Sequence, residues 1–142
     1  MMKILIPVDG SANAQRAIDY MVKNIPALKE TPQLLLLNVQ WNVATVNVKL
    51  FINRETIIDY YREQGMAALQ QACASLDAAG LPYKYHISIG KPAETIVQYA
   101  NEQFVDQIVM GRKGLGGFQS WLLGSVVNRV LHLANHPVLL IK

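Results

Sequence analysis

Short apolar runs alternate with amphipathic stretches along this 142-residue chain, and that alternation restricts the possible folds more than any other feature. The first run, Lys3 to Val8, is almost continuously apolar and ends at Asp9-Gly10. Such a run is typical of a strand that is buried on both faces of a parallel sheet. Pro7 has no N–H to give to a ladder, so we expect it near the end of this strand.

An amphipathic helix is predicted after the first strand. Ser11 is a residue type that caps helix N-termini, and apolar positions recur after it at a spacing of three to four residues. Pro26 is expected to bend or end the helix, because proline lacks the N–H that a helix interior uses. The predicted inner positions are Ala14, Ala17, Ile18, Met21, Val22, Ile25 and Leu28.

The second apolar run, Gln33 to Gln40, is too short for a helix and predicts a second strand. The order strand, helix, strand implies a right-handed parallel crossover. The segment Trp41 to Asn53 has a weaker pattern and is interpreted as a long connection or flap. A long helix is predicted over Arg54 to Ala79, and Gly80 supplies its C-terminal stop. Its predicted inner positions are Ile57, Ile58, Tyr61, Ala68, Leu69, Ala72, Leu76 and Ala79.

The same alternation continues through the rest of the sequence. Apolar residues at every second position over Tyr83 to Ile89 predict a third strand at a sheet edge, where one face is wetter. Pro92 then opens a helix, which is a favoured position for proline. The inner positions of this helix are Ile96, Val97 and Ala100. The remaining predicted elements are strand four over Val105 to Met110, a last helix that begins at Gly124-Ser125, and strand five over Val138 to Ile141.

Five strands that alternate with four helices specify an α/β fold: a doubly wound, five-stranded parallel sheet with helices on both faces. We expect the strand order 3-2-1-4-5 and one domain over residues 1–142. Ligands of such sheets bind beyond the carboxyl ends of the strands, where the winding reverses. If strands one and four flank that point, the turns that follow them are neighbours.

Composition and charge argue against several classes of protein. The net charge of +3 comes from scattered basic residues, of which only Arg112 and Lys113 are adjacent, so no nucleic-acid surface is expected. The single cysteine, Cys73, excludes an internal disulfide framework and fits a reducing compartment. The longest uncharged run, Thr31 to Val48, is interrupted by polar residues, so we expect no membrane span and a cytoplasmic location.

The glycine-rich stretch from Gly111 to Ser125 carries the strongest indication of chemistry. It connects predicted strand four to the last helix. Small residues let a bare backbone approach a phosphate, and the unpaired N–H groups of a helix start attract anions. The stretch contains neither the GxxxxGK[ST] of a P-loop nor the GxGxxG of a dinucleotide fingerprint.

The spacing that remains is Gly111, two residues, Gly114, nine residues, then Gly124-Ser125. Together with the turn Val8-Asp9-Gly10-Ser11 and the final run His136 to Ile141, it resembles the universal stress protein family over essentially the whole chain. The glycine and serine spacing is similar to the ATP-binding branch of that family. The resemblance therefore implies an ATP-binding stress-response or regulatory protein that uses Mg²⁺ or Mn²⁺ with the nucleotide and has a protein partner that the sequence does not name.

The resemblance also implies roles for individual residues. Asp9 would contact the ribose or a phosphate through a shared cation, and the Val39 backbone would read the adenine edge. Arg112 and Lys113 depart from the family's pattern, since many relatives are less basic at this pair, and from their charge we expect them to clamp the terminal phosphates. We also expect the stretch from Leu115 to Leu123 to cover the ligand. The phosphate-holding residues would be Gly111, Gly114, Gly124 and Ser125, and the lining residues would be Pro7, Met110 and Val126. Ser125 is also expected to cap the last helix.

Strand five is short, apolar and expected at an unpaired sheet edge, which is a liability unless it is covered. We therefore predict a homodimer through this strand, as the resemblance also implies. The residues of the predicted interface are Val138, Leu139, Leu140 and Ile141.

Other interpretations stay open at this level. The chain is also consistent with a slow ATPase or nucleotidyl transferase, although no general base paired with a nucleophile lies beside the loop. A nucleotide-free dimeric scaffold is the third possibility, in which Asp9 serves a turn and the glycines shape a loop. His86, His132 and His136 are interpreted as structural or surface residues.

Overall fold

The computed structural model describes residues 1–41, 54–112 and 123–142. Those residues form five strands and four α-helices, and a 3-10 turn (Ile25–Ala27) follows the first helix. The elements in chain order are β1 (Lys3–Pro7), α1 (Ala12–Asn24), β2 (Gln33–Gln40), α2 (Arg54–Ala78), β3 (Tyr83–Ile89), α3 (Pro92–Glu102), β4 (Gln107–Gly111), α4 (Ser125–Leu133) and β5 (Val138–Ile141).

The strands form one parallel sheet in the order β3-β2-β1-β4-β5, which confirms the predicted topology. β1 pairs with β2 along its whole length, from Lys3 to Pro7. Among the described residues, its pairing with β4 is confined to Ile4 and Leu5. Pro7 is the next residue whose N–H would face β4, and it has none. The two strands therefore part at their carboxyl ends, where the winding of the sheet reverses.

Helices cover both faces of the sheet, as predicted. One core cluster joins Ile4, Ile6 and Val109 of the sheet to α1 and α2. The other joins Leu5, Leu35 and Ile108 to α3 and α4. Neighbouring strand residues thus enter opposite cores, which explains why β1, β2 and β4 are apolar at nearly every position.

The first helix ends earlier than its apolar pattern predicted. α1 stops at Asn24, and Pro26 lies in the 3-10 turn that follows. The proline has no N–H with which to continue the helical hydrogen bonds. Leu28, predicted as an inner position, lies beyond the turn and is 49% exposed.

The inner face of α2 also differs from the prediction. Ile58 is exposed, and Ala79 lies beyond the helix end and is exposed as well. Gly65 is buried on this face because the Ile87 side chain of β3 fills the space that a Cβ would take. β3 is an edge strand with exposed positions, as its alternating sequence predicted.

The start of β4 was predicted two residues too early. Val105 gives its N–H to the carbonyl of Ala100 and so completes the end of α3, after Phe104 has turned the chain with φ 52°. β4 begins at Gln107. No helix within the three described ranges combines the length and apolar character needed to cross a membrane.

Candidate functional site

A cleft of about 490 Å³ opens at the carboxyl ends of β1, β2 and β4. It lies where β1 and β4 part, the position at which doubly wound sheets bind their ligands. Strand ends, the turn after β1 and the first residues of α3 and α4 all contribute to its wall. The described lining residues are Pro7, Val8, Asp9, Ala14, Leu37, Asn38, Val39, Gln40, Trp41, Pro92, Ile96, Met110, Gly111, Gly124, Ser125, Val126 and Val127.

Eight of the residues that the sequence singled out meet in this cleft. They come from four separate stretches of the chain and are Pro7, Asp9, Val39, Met110, Gly111, Gly124, Ser125 and Val126. Arg112 follows β4 directly and is half-buried. Lys113 and Gly114 lie outside the described residues, as does the expected cover apart from Leu123.

The turn after β1 is fixed by its own side chains. Asp9 Oδ1 accepts a hydrogen bond from the Ser11 N–H at 2.9 Å, and Ser11 Oγ accepts one from the Ala14 N–H at 3.1 Å. Gly10 allows this path with φ 84°, a conformation that favours glycine. Ser11 is thus the N-cap of α1, as predicted. Asp9 Oδ2 accepts no hydrogen bond within the described part of the chain, and Asp9 is exposed toward the cleft.

The floor of the cleft contains a buried amide that our sequence interpretation missed. Asn38 is 2% exposed. Its Nδ2 donates to the Val8 carbonyl at 2.8 Å, and its Oδ1 accepts from Gln40 Nε2 at 2.6 Å. The sequence did contain a signal, because Asn38 interrupts the apolar run between Leu37 and Val39. Burying a polar side chain in a strand that is covered on both faces costs free energy unless the side chain is hydrogen-bonded. Trp41, at the cleft mouth, had been assigned to a connection.

Gly111 ends β4 where the first turn of α1 passes closest to the sheet. A Cβ at this position would overlap the backbone carbonyl of Asn13 and touch the N–H of Ala14. Packing of α1 against β4 is therefore a sufficient reason for glycine here. The same close approach places the N-terminus of α1 beside the cleft.

The N-terminus of α4 opens into the cleft without a side-chain cap. The N-cap residue is Gly124, so the prediction that Ser125 caps the helix is wrong. Ser125 is the first helical residue and is exposed. The Gly124 N–H is held by the Arg112 carbonyl at 3.1 Å. The N–H groups of Ser125, Val126 and Val127 have no helical acceptor, because a helix leaves its first donors unpaired.

The N-terminus of α3 is compensated differently. Glu94 lies in its first turn, and the Arg129 side chain of α4 contacts it at 3.1 Å. The backbone N–H of Glu94 and the Arg129 guanidinium hold the pKa of this carboxyl below its usual range. Both side chains are largely solvent-exposed, so the pair contributes little to stability.

His86, Cys73 and Tyr83 are not among the described lining residues of the cleft. His86 stacks on Tyr99 with ring centroids 5.4 Å apart, and Cys73, a residue of α2, packs against the core. Burial, and then the neighbouring Cys73 and Asp77, raise the pKa of Tyr83. Within residues 1–41, 54–112 and 123–142, no group of three or more His, Cys, Asp or Glu side chains is placed to hold a metal ion.

Comparison with known proteins matches the whole chain to one family. The model of the universal stress protein family matches residues 1–142. Universal stress protein MJ0531 of Methanocaldococcus jannaschii is 32% identical over 146 residues, which cover 99% of this chain and 81% of that protein.

Solved structures show the same architecture. The structure of MJ0577, also from Methanocaldococcus jannaschii, is 29% identical, with a TM-score of 0.84 over 99% of this chain and 95% of that one. A universal stress protein family protein from Arabidopsis thaliana with AMP bound is 21% identical, with a TM-score of 0.71 over 100% of this chain and 92% of that one. At that identity the similarity is one of fold.

Proposed function

Because this chain belongs to the universal stress protein family, we propose that its cleft binds an adenine nucleotide, ATP with Mg²⁺ or Mn²⁺, and that the protein is a nucleotide-dependent regulatory module of the stress response. The observation that carries the proposal is the convergence, in one cleft, of an uncapped helix N-terminus, an exposed carboxylate and an apolar wall. A related fold from Arabidopsis thaliana has been solved with AMP bound.

Each part of a nucleotide has a complementary surface in the cleft. The apolar side chains of Val39, Ile96 and Met110 suit the faces of a purine. The uncapped N-terminus of α4 suits phosphate, because its free N–H groups and the helix dipole both favour an anion. Asp9 lines the same cleft, and its Oδ2 is available to accept from ribose hydroxyls.

The proposed cation belongs to the nucleotide rather than to a protein cage. Asp9 is the only carboxylate among the described lining residues. One carboxylate plus phosphate oxygens is a usual arrangement for Mg²⁺, which keeps several waters. The Asp9 carboxylate is repelled by phosphates unless a cation or a ribose hydroxyl lies between them. A cation bound to the nucleotide would therefore remove the repulsion between Asp9 and the phosphates. Arg112, Lys113 and Gly114 are proposed to contact the terminal phosphates.

A matched pair of variants tests the proposal. Asp9→Asn keeps an oxygen for the Ser11 N–H but removes the charge, whereas Asp59→Asn removes a charge from the exposed face of α2. Thermal unfolding of both variants and of the wild type is measured with and without ATP and Mg²⁺. We expect the wild type and Asp59→Asn to be stabilised by roughly 2.7 kcal/mol at a hundred times Kd, and Asp9→Asn to be stabilised less.

Nucleotide carried through purification gives an independent readout. The protein is denatured, and the supernatant is separated by ion-exchange chromatography. An adenine nucleotide in that fraction supports the proposal. If no nucleotide is carried and ATP with Mg²⁺ produces no thermal shift, the proposal is wrong and the nucleotide-free scaffold takes its place.

We also propose that the chain forms a homodimer through β5. This strand lies at the sheet edge, and all four of its residues stay partly exposed. The Pro137 carbonyl accepts from Ile108 of β4 and the Ile141 carbonyl from Arg112, the residue after β4, so the N–H of Leu140 faces away from the sheet. Leu140→Pro removes this donor, while Leu140→Ala loses similar packing and keeps it. By light scattering we expect a dimer of 15.8 kDa chains for the wild type and Leu140→Ala, and a monomer for Leu140→Pro. A monomeric wild type at micromolar concentration contradicts the dimer.

A further inference from the structure

The end of the ladder between β1 and β2 is unusual. The Val8 N–H donates to the Leu37 carbonyl at 2.8 Å. In a parallel ladder the next bond runs from the Val39 N–H to the Val8 carbonyl. Among the described residues that bond is not formed. The Val8 carbonyl instead accepts from Asn38 Nδ2 at 2.8 Å.

Because Asn38 takes the Val8 carbonyl, the backbone N–H and C=O of Val39 have no hydrogen-bond partner among the described residues. Leu37 faces β1, since its carbonyl accepts from Val8, and Gln40 faces β3, since its carbonyl accepts from the Gly90 N–H at 2.9 Å. Successive peptide groups of a strand point to opposite sides, so the N–H and C=O of Val39 point to the β1 side. β1 has ended at that level, and the cleft lies there.

The orientation of the Asn38 amide follows from its partners. A carbonyl such as that of Val8 can only accept, so the amide nitrogen must face it. The amide oxygen then accepts from Gln40 Nε2 at 2.6 Å. Asn38 is 2% exposed, so these bonds are shielded from water, and the side chain is held from both ends. It bridges the turn that carries Asp9 to the strand end that carries Val39.

We propose that Asn38 is the positioning residue that sets the base preference of the cleft: by occupying the Val8 carbonyl, it keeps the N–H and C=O of Val39 free as a donor and acceptor pair for the nucleobase. The inference rests on the proposed nucleotide function. The pair matches the edge of adenine, which offers a ring nitrogen as acceptor and an amino group as donor. Inosine presents a carbonyl and an N–H at the same places, so it meets the pair with the wrong pattern.

The first test is a base-preference ratio. Equilibrium binding of ATP and ITP, each with Mg²⁺, is measured for the wild type and for Asn38→Leu, which is similar in size but cannot donate. The wild type is expected to prefer ATP by about tenfold to a hundredfold, the discrimination that a two-point base contact supplies. In Asn38→Leu the Val39 N–H can donate to the Val8 carbonyl. The ratio of ATP affinity to ITP affinity is therefore expected to fall toward one.

The second variant, Asn38→Asp, supplies a readout that loss of packing does not imitate. The carboxylate can still accept from Gln40 but donates to Val8 only when it is protonated. Its ATP/ITP ratio is therefore expected to be low at about pH 8 and to rise toward about pH 5, the range over which a buried aspartic acid gains its proton. The wild-type ratio is expected to stay flat. Phosphate groups and Asp9, the titratable side chain among the described lining residues, act on both nucleotides alike and cancel in the ratio.

Amide hydrogen exchange in the nucleotide-free protein separates this inference from the proposed function. The Val39 amide is expected to exchange without protection in the wild type and to gain protection in Asn38→Leu. Protection of Val39 in the wild type, or an unchanged ATP/ITP ratio in a folded Asn38→Leu, overturns the role of Asn38. A wild type that exchanges as expected but binds neither nucleotide leaves the hydrogen-bond assignment standing and refutes the proposed function.

Discussion

Two helices begin at the same cleft, and their N-termini are built in opposite ways. α1 follows β1, and its first donors are satisfied within the turn by Ser11 Oγ and by Asp9 Oδ1. α4 begins at Ser125, after a glycine N-cap that has no side chain to offer. We call the first helix end closed, because side chains accept from the N–H groups of Ser11 and Ala14, and the second open, because within the described residues no side chain caps α4.

The difference shows what turns the start of a helix into an anion site. Both ends have the same dipole and the same shortage of acceptors. A serine at the N-cap accepts from one of the free donors and so removes it from use by a ligand. A glycine at the N-cap followed by an exposed serine leaves the donors free. Under the proposed function, one helix end holds the architecture and the other binds phosphate.

The largest predicted effect concerns the contact between the first turn of α1 and Gly111 of β4. Gly111→Ala places a Cβ against the Asn13 backbone, which cannot move without shifting the first turn of α1. We expect unfolding in urea to show a loss of about 3 kcal/mol, near the upper end of overpacking costs.

Gly80→Ala is the matched control for that substitution. Gly80 has φ 68°, but nothing lies within 4 Å of the added Cβ. Its cost should be limited to backbone strain, about 1 kcal/mol. Equal stability of the two variants would show that α1 does not need the close approach at Gly111.

The next prediction compares alanine substitutions at the two serines, Ser11 and Ser125. Ser11→Ala removes the cap of α1 and is expected to cost about 1 kcal/mol of unfolding free energy, with little change in ATP affinity. Ser125→Ala should leave stability within about 0.5 kcal/mol but weaken ATP binding by about tenfold, since a hydrogen bond to a charged group is lost. Calorimetric titration measures the ATP affinity of both variants, and urea unfolding measures their stability. If both serines affect only stability, the distinction between a closed and an open helix end is wrong.

The smallest predicted effect concerns α3, whose N-terminus is compensated by Glu94. The pKa of this carboxyl is lowered in the folded state, so its contribution is present above the unfolded pKa and lost as the pH falls through the folded value. The wild type should therefore have a slightly higher urea midpoint than Glu94→Gln near neutral pH, and the two midpoints should converge in acid.

Glu102→Gln serves as the control for Glu94→Gln, because Glu102 is the last residue of the same helix, where a negative charge is unfavourable. This variant should be as stable as the wild type or slightly more stable near neutral pH. A loss equal to that of Glu94→Gln would show that the helix end is not responsible.

Much of the fold could be predicted because local sequence and global topology agree. The double-sided burial of β1 and β2 is visible in their uninterrupted apolar runs, and the wetter β3 in its alternation. Element ends were harder, because they depend on single hydrogen bonds. Val105 completes α3 rather than starting β4, since its N–H reaches Ala100. Ser125 follows the cap instead of forming it.

The candidate site was predictable where a backbone motif carries it and not where a side chain acts across strands. Glycine spacing and the turn at Asp9 pointed to the end of the sheet where the cleft lies. The bond from Asn38 to Val8 joins residues 30 positions apart, and no local pattern encodes it. Asn38 was visible as a polar interruption of β2, but its hydrogen-bond partner could not be predicted because that partner depends on where β1 ends.

The most direct test of nucleotide binding at this cleft is an amide NMR titration of the full chain with ATP and Mg²⁺. We predict saturable shifts of the Val39 amide at one end of the cleft and of the Ser125, Val126 and Val127 amides at the other, with amides of the exposed face of α2 unchanged. Absence of saturable shifts, or shifts that cluster along β3 and α2 instead, would contradict the assignment of the cleft.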